Sequence, residues 1–205
     1  MSARIASRRF LVTNTSKSPS INFFKVLDMP QSFNIDHTFL KASYKSLIVA
    51  NHPDRFASSS HSAPLDAALI TTAFQTLSTP NLRAEHLLQL AGEALDEESS
   101  TQNPLPMEFL MEIMEIRETL SEIDRDDPTA VDQLNQLKQA NEERVLEVVA
   151  EANVAFDGDG DGDGDSDGDG DSDKINMVEE RRRCSAFLNY FRRIEEEIKE
   201  KEMVT

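Results

Sequence analysis

The chain has 205 residues, 39% of them apolar and 29% charged, with a formal net charge of −17. That length supports one or two soluble domains with a real core, and the acidity argues against a nucleic-acid binder, which needs a basic stripe to meet phosphates. A single cysteine, Cys184, leaves no disulfide framework and no CxxC pair for zinc or an iron–sulfur cluster, and no run of about eighteen apolar residues is present to span a bilayer.

From Met1 to Lys25 the only charges are Arg4, Arg8, Arg9, Lys17 and Lys25, set among Ser and Thr, and the first acid is Asp28. An acid-free, Arg- and Ser-rich start with a short amphipathic pattern around Ile5, Arg8, Arg9, Phe10 and Val12 reads as a mitochondrial transit peptide. Residues 1–20 are therefore set apart from the fold, with cleavage expected before Ile21 and the matrix as the destination. Asn22-Phe23-Phe24-Lys25-Val26-Leu27 is an apolar segment long enough for a helical turn or two, ended by Met29-Pro30. Phe33-Asn34-Ile35-Asp36 then offers Asx residues suited to an N-cap. Beyond it Leu40, Tyr44, Leu47 and Ile48 recur at helical spacing, with Lys41 and Lys45 one turn apart and offset from that stripe.

This helix must stop at Asn51-His52-Pro53-Asp54-Arg55-Phe56, because Pro53 cannot continue a helix and drives His52 from the α region. Asp54 suits a turn. The result is a preset loop offering an imidazole, a carboxylate and a guanidinium. A second amphipathic helix is expected from near Pro64, carrying Leu69, Ile70, Ala73, Phe74 and Leu77, until Ser78-Thr79-Pro80-Asn81 breaks it. Leu82 to Leu90 makes a shorter helix, closed by Gly92 at a left-handed C′ position. Two antiparallel helices joined by His-Pro-Asp, with a short helix before and after, resemble a J-domain, the module by which co-chaperones engage DnaK-type heat-shock ATPases.

The resemblance is narrower than the generic module. Phe33-Asn34-Ile35-Asp36, Tyr44, His52-Pro53-Asp54-Arg55-Phe56, Ala73-Phe74-Gln75-Thr76-Leu77 and Pro80-Asn81-Leu82-Arg83-Ala84-Glu85-His86-Leu87-Leu88 are similar, in order and spacing, to the HscB-type J-proteins of iron–sulfur cluster assembly. His86 departs from the Tyr usual there and is expected to pack as an aromatic. After a polar connector, residues 93–106, Leu110-Met111-Glu112-Ile113-Met114-Glu115-Ile116-Arg117-Glu118 resembles the C-terminal motif of the same family, on the first helix of a three-helix bundle. Pro128 is read as the start of the second helix, with Val131, Leu134, Leu137, Val145, Val148 and Ala152 as its apolar positions. Lys174 to Glu202 gives the third, with Ile175, Val178, Phe187, Leu188, Phe191, Ile194 and Ile198. The expected architecture is all-α: a J-domain over residues 21–92 and a bundle over 107–205. The lack of paired cysteines resembles fungal and bacterial members of the family, and the transit-like start favours the fungal ones.

Between the last two helices, Asp157 to Asp173 holds six of the seven glycines and nine aspartates, about half of the net charge. Such a run cannot bury apolar area, repels itself and is expected to be disordered, and an insertion there is cheap because loop closure grows only logarithmically with length. Asp157-Gly158-Asp159-Gly160-Asp161-Gly162 matches the start of an EF-hand loop, but the twelfth position is Gly168 where that loop needs Glu, so no calcium site is expected. No metal and no cofactor are expected elsewhere.

The residues assemble no enzyme: His37, His61 and His86 have no ligand spacing to His52, and the one cysteine lies far along the chain. The family resemblance instead implies contact roles. His52, Pro53, Asp54, Arg55, Lys41 and Lys45 would meet a mitochondrial DnaK-type chaperone and trigger its ATP hydrolysis. Leu110, Met111, Met114 and Phe187, rimmed by Glu115, Arg117 and Glu118, would bind the cluster scaffold protein. Helical geometry adds that Leu110, Ile113 and Ile116 cannot share one face with Met111 and Met114, since successive residues are about 100° apart. One set must look outward. The rival readings are an adaptor for a different mitochondrial client and a calcium-regulated binding protein.

Overall fold

The computed structural model describes residues 21–51, 66–93, 105–124, 127–158 and 170–204. They form seven helices and, among the described residues, no strand: α1 Phe23–Val26, α2 His37–Ala50, α3 Ala67–Ser78, α4 Pro80–Ala91, α5 Met107–Glu122, α6 Ala130–Asp157 and α7 Gly170–Val204. The His-Pro-Asp turn and Pro64 lie outside the described residues, as do residues 1–20.

Local chemistry sets the N-terminal helix ends. Asn22 accepts the Lys25 N–H at 3.2 Å to start α1, and the chain leaves it through Asp28, a non-glycine residue at φ 51°, a conformation Asp tolerates better than most. Asp36 caps α2 by accepting the N–H groups of Thr38 at 2.7 Å and Phe39 at 3.3 Å. Those two donors hold its carboxyl below the ordinary carboxylate range. Asp66, rather than Pro64, starts the next described helix by accepting the Ala68 N–H at 2.9 Å. Thr79 breaks the chain, Pro80 opens α4 where a missing N–H costs nothing, and Gly92 ends it at φ 77°, as the left-handed reading required.

Tyr44 of α2 stacks on Phe74 of α3 with 4.4 Å between ring centroids, which fixes the two long N-terminal helices against each other. In the C-terminal half, Lys138 pairs with Glu202 and Arg181 donates to the Ala155 carbonyl. Low numbers in α6 thus meet high numbers in α7, and the two helices run antiparallel. Phe109 against Phe187 and Arg117 against Glu197 set α5 parallel to α7. The expected bundle of three helices is present. Its apolar stripes differ at the ends: Val131 and Ile175, both read as core, are exposed, Val131 in the first turn of α6 and Ile175 six residues before Arg181, which meets the end of α6 at Ala155. α6 begins at Ala130, two residues after Pro128, while α7 begins at Gly170 and so takes in the end of the Asp-Gly run.

Helix α7 is also the floor of the N-terminal half. Asn81 of α4 donates to the Asn189 side chain at 2.9 Å, and Asn189 donates in turn to Glu85 at 2.5 Å. Arg182 donates to the Glu93 carbonyl at 2.9 Å. One apolar core therefore runs unbroken from Phe24 and Leu27, through Ile70, Leu77 and Ala84, to Cys184, Leu188, Ile194 and Ile198.

Candidate functional site: two contact faces on one frame

Helix α5 has two faces, and the sequence allowed only one of them to be core. Phe109, Ile113, Ile116 and Leu120 are the buried set, whereas Met107, Met111 and Met114 are 67%, 63% and 70% exposed. Spacing of four and then three residues places those methionines in one stripe along the helix. Leu110 lies half-buried and packed against the core cluster. Met107 was absent from the expected contact set, although its position one turn before Met111 was the signal that could have found it.

What holds this stripe outward is the aromatic cluster beneath it. The Phe109 ring stacks on Phe187 at 3.9 Å and meets Tyr190 and Phe191 edge-on, each at 5.6 Å. Phe187 is half-buried: one side of its ring is engaged by Phe109, so it supports the face more than it projects from it. Glu115, Arg117 and Glu118 are exposed, as rim residues would be. Arg117 grips Glu197 of α7 at 2.8 Å, and Glu112 is paired with Arg144 of α6. Exposed pairs of this kind add less than about 1 kcal/mol each; their use here is to set the rotation of α5.

On the N-terminal half, Lys41 and Lys45 are exposed on α2 one turn apart. His52, Pro53, Asp54 and Arg55, the other expected chaperone contacts, lie outside the described residues. Within the motif Pro80 to Leu88, Asn81, Arg83, Ala84, His86, Leu87 and Leu88 are buried, while Glu85 is exposed. Arg83 is 4% exposed. Its guanidinium donates to the carbonyls of Leu77 and Phe33, both at 2.7 Å, and lies over the Phe33 ring at 5.2 Å. Burial lowers its pKa to about 10, with Asp157 opposing the shift, so it stays charged at neutral pH. His86 does pack as an aromatic, stacked on Phe23 at 4.5 Å and near Phe24 at 5.9 Å. Its Nε2 accepts the Phe23 N–H at 3.1 Å. A ring nitrogen that accepts carries no proton, and burial accordingly holds this imidazole below its ordinary pKa.

Neither described histidine meets a nucleophile. His37 faces Arg83 at 3.4 Å, and burial and that cation, in this order, lower its pKa. The carboxylates of Glu151 and Glu180 and the Cys184 sulfur have ligand atoms within 4.8 Å of one another. Cys184 is buried, and burial followed by the charges of Glu180 and Glu151 raises its pKa to about 12. Glu151 is exposed and Glu180 half-buried, so the two carboxylates flank the buried thiol at the α6–α7 seam, and the Cys184 thiol donates to the Glu180 carboxylate at 3.9 Å. The chemistry offered is recognition: a soft apolar stripe at one place and a basic helix face at another.

Comparison with known proteins agrees with this arrangement. Residues 105–199 match the family model of the HscB C-terminal oligomerisation domain. The co-chaperone protein HscB homolog of Shewanella halifaxensis is 42% identical over 113 residues, 53% of this chain and 64% of that protein, so the aligned stretch leaves over a third of it unmatched. Its counterpart from Shewanella pealeana is 37% identical over 136 residues, 64% of this chain and 76% of its own length. Two solved structures share the fold. Chaperone HscB from Vibrio cholerae superposes with a TM-score of 0.62 at 24% identity, covering 89% of this chain and 98% of that one. Human co-chaperone protein HscB gives 0.66 at 24% identity, over 91% of this chain and 85% of that one.

Proposed function

The chain belongs to the HscB family of co-chaperones, with a J-domain and a C-terminal helical bundle, and from that premise we propose that it is an adaptor between two proteins. The bundle holds the scaffold on which iron–sulfur clusters are built, and the J-domain delivers it to a mitochondrial DnaK-type ATPase and stimulates hydrolysis. Residues 21–92, 93–106 and 107–205 are the J-domain, connector and bundle. Residues 1–20 direct the chain to the matrix.

The observation that carries this reading is the methionine stripe of α5. Exposed apolar side chains in a row normally mark an interface, and methionine is the side chain best suited to mould itself to a partner. Met111 and Met114, with Leu110 at their edge, supply that surface, and Glu115, Arg117 and Glu118 supply a polar rim that fixes orientation. Lys41 and Lys45, with His52, Pro53, Asp54 and Arg55, supply the chaperone contacts. The protein performs no bond chemistry of its own. Tethering two weak contacts on one frame raises the effective concentration of scaffold at the chaperone.

Single-turnover ATP hydrolysis by a mitochondrial DnaK-type chaperone, with and without the scaffold, tests the reading. The wild-type chain is expected to accelerate hydrolysis, and scaffold to raise the rate further. His52→Gln should abolish both effects while leaving scaffold binding and thermal stability near wild type. Leu110→Ala combined with Met111→Ala and Met114→Ala should remove only the scaffold-dependent part. Scaffold binding that survives the triple substitution would instead favour an adaptor for a different client.

A further inference from the structure

We propose that the first Asp-Gly pair of the acidic run is a latch, separable from the rest of that run, which locks the N-terminal helices onto the bundle. Asp157 is the last residue of α6. One of its carboxylate oxygens accepts the Phe33 N–H at 2.8 Å, and the other accepts the Asn34 N–H at 2.7 Å and the Ser32 hydroxyl at 2.8 Å. These three donors belong to the turn before α2, more than 120 residues earlier in the chain.

Nothing within α6 accounts for the acid. A carboxylate at a helix C-terminus faces the negative end of the helix dipole and is disfavoured there. Its stabilisation comes from across the joint. The same turn is held from its other side by Arg83, which donates to the Phe33 carbonyl at 2.7 Å, so cation and carboxylate grip opposite poles of one peptide segment. The Phe33 ring also stacks on Phe156, next to Asp157, at 5.3 Å. On the far side Arg181 of α7 lies over Phe156 at 5.8 Å and donates to the Ala155 carbonyl at 2.8 Å. That carbonyl is one the helix end would otherwise leave unpaired.

The glycine of the pair is equally constrained. The Gly158 N–H donates to the Val154 carbonyl at 2.8 Å, and a Cβ at residue 158 would lie 2.2 Å from that oxygen. Any side chain there forces the α6 terminus to shift, and Asp157 with it. Asp157-Gly158 thus repeats the composition of the run it begins and has a separate task. It holds the angle between the two contact faces, which under the adaptor reading sets how bound scaffold is presented to the chaperone.

Nitroxide labels on Ser46→Cys of α2 and Asn135→Cys of α6, both exposed positions, in a Cys184→Ala background of the full chain, report that angle by double electron–electron resonance. A single narrow distance is expected with the native pair and with residues 160–169 deleted, and a broad distribution with Asp157→Ala or Gly158→Val. A narrow distance in both latch variants, or equal broadening by the deletion, would overturn the latch. Should Asp157→Ala lose helix content, Asp157→Asn with Ser32→Ala decides. Asparagine is as compatible with a helix as aspartate, but it removes the charge and one accepting oxygen, while the second change removes the Ser32 donor. Broadening supports the latch, and an unchanged distance places the role of Asp157 inside α6 and refutes it. In the hydrolysis assay Asp157→Ala should keep scaffold binding and lose the extra stimulation by scaffold. If wild type shows no scaffold effect at all, the adaptor reading fails while the distances still judge the latch.

Discussion

At the scale of single residues, His86 couples the N-terminal fold to pH. The native ring is neutral, with Nε2 accepting the Phe23 N–H, and its folded pKa lies below the ordinary value of 6.5. As pH falls through 6.5 the unfolded chain takes up the proton first, so it binds more protons than the native state and stability declines. Urea denaturation at pH 7.5 and 5.5 should show this decline in wild type. In His86→Phe the decline should shrink to what His37, shifted in the same direction, still contributes. That variant keeps the stacking but orphans the Phe23 N–H, at a cost of about 1 kcal/mol at neutral pH. A pH dependence unchanged by the substitution would mean that His86 takes up its proton alike in the folded and unfolded states. The sequence showed that residue 86 would pack as an aromatic, but not the backbone N–H it accepts. Arg83 was likewise visible only as part of a motif. Its partners, the carbonyls of Phe33 and Leu77, are backbone atoms with no signature in the sequence.

At the scale of one helix, α5 shows how far periodicity reaches. It required two faces and left open which was core. Tertiary packing decided, because Phe109 found a stacked partner in Phe187 while Met111 and Met114 found none. The two faces should answer differently to truncation. Phe109→Ala removes the centre of an aromatic cluster and should cost roughly 3–5 kcal/mol in chemical denaturation. Met111→Ala with Met114→Ala should stay within about 1 kcal/mol of wild type, as exposed positions do, and weaken scaffold binding instead. Loss of stability in the methionine variant would return that stripe to the core. Along α6, Asn141 is buried, donating to the Phe191 carbonyl at 3.2 Å while its Oδ1 has no partner. A buried asparagine fixes helix register at a cost in stability. Asn141→Leu should therefore raise the thermal midpoint and admit slippage between α6 and α7, seen as a broader α6–α7 label distance. Val131 and Ile175 were misread for a related reason: period alone carries no information about which turns of a helix are covered.

At the scale of the whole molecule, the sequence divided the chain at a polar connector, most of which, residues 94–104, lies outside the described residues. Only long-range contacts could reveal that α7 serves both halves, through Asn189 to Asn81 and Glu85 on one side and through Ile194 and Ile198 on the other. A continuous core predicts one cooperative transition. With two tyrosines and no tryptophan in the chain, Tyr44→Phe leaves Tyr190 as the fluorescent reporter of α7, and Tyr190→Phe leaves Tyr44 to report α2. Their urea midpoints should coincide once each is referred to its own far-ultraviolet transition; separated midpoints would establish two independent units. The same shared helix has a consequence for synthesis. Asn81 and Glu85 meet Asn189 across 108 and 104 residues, so the inner face of α4 stands uncovered until the final helix is made. At ordinary translation rates that wait is on the order of ten seconds. Throughout it the growing chain displays apolar surface of the kind that heat-shock chaperones hold.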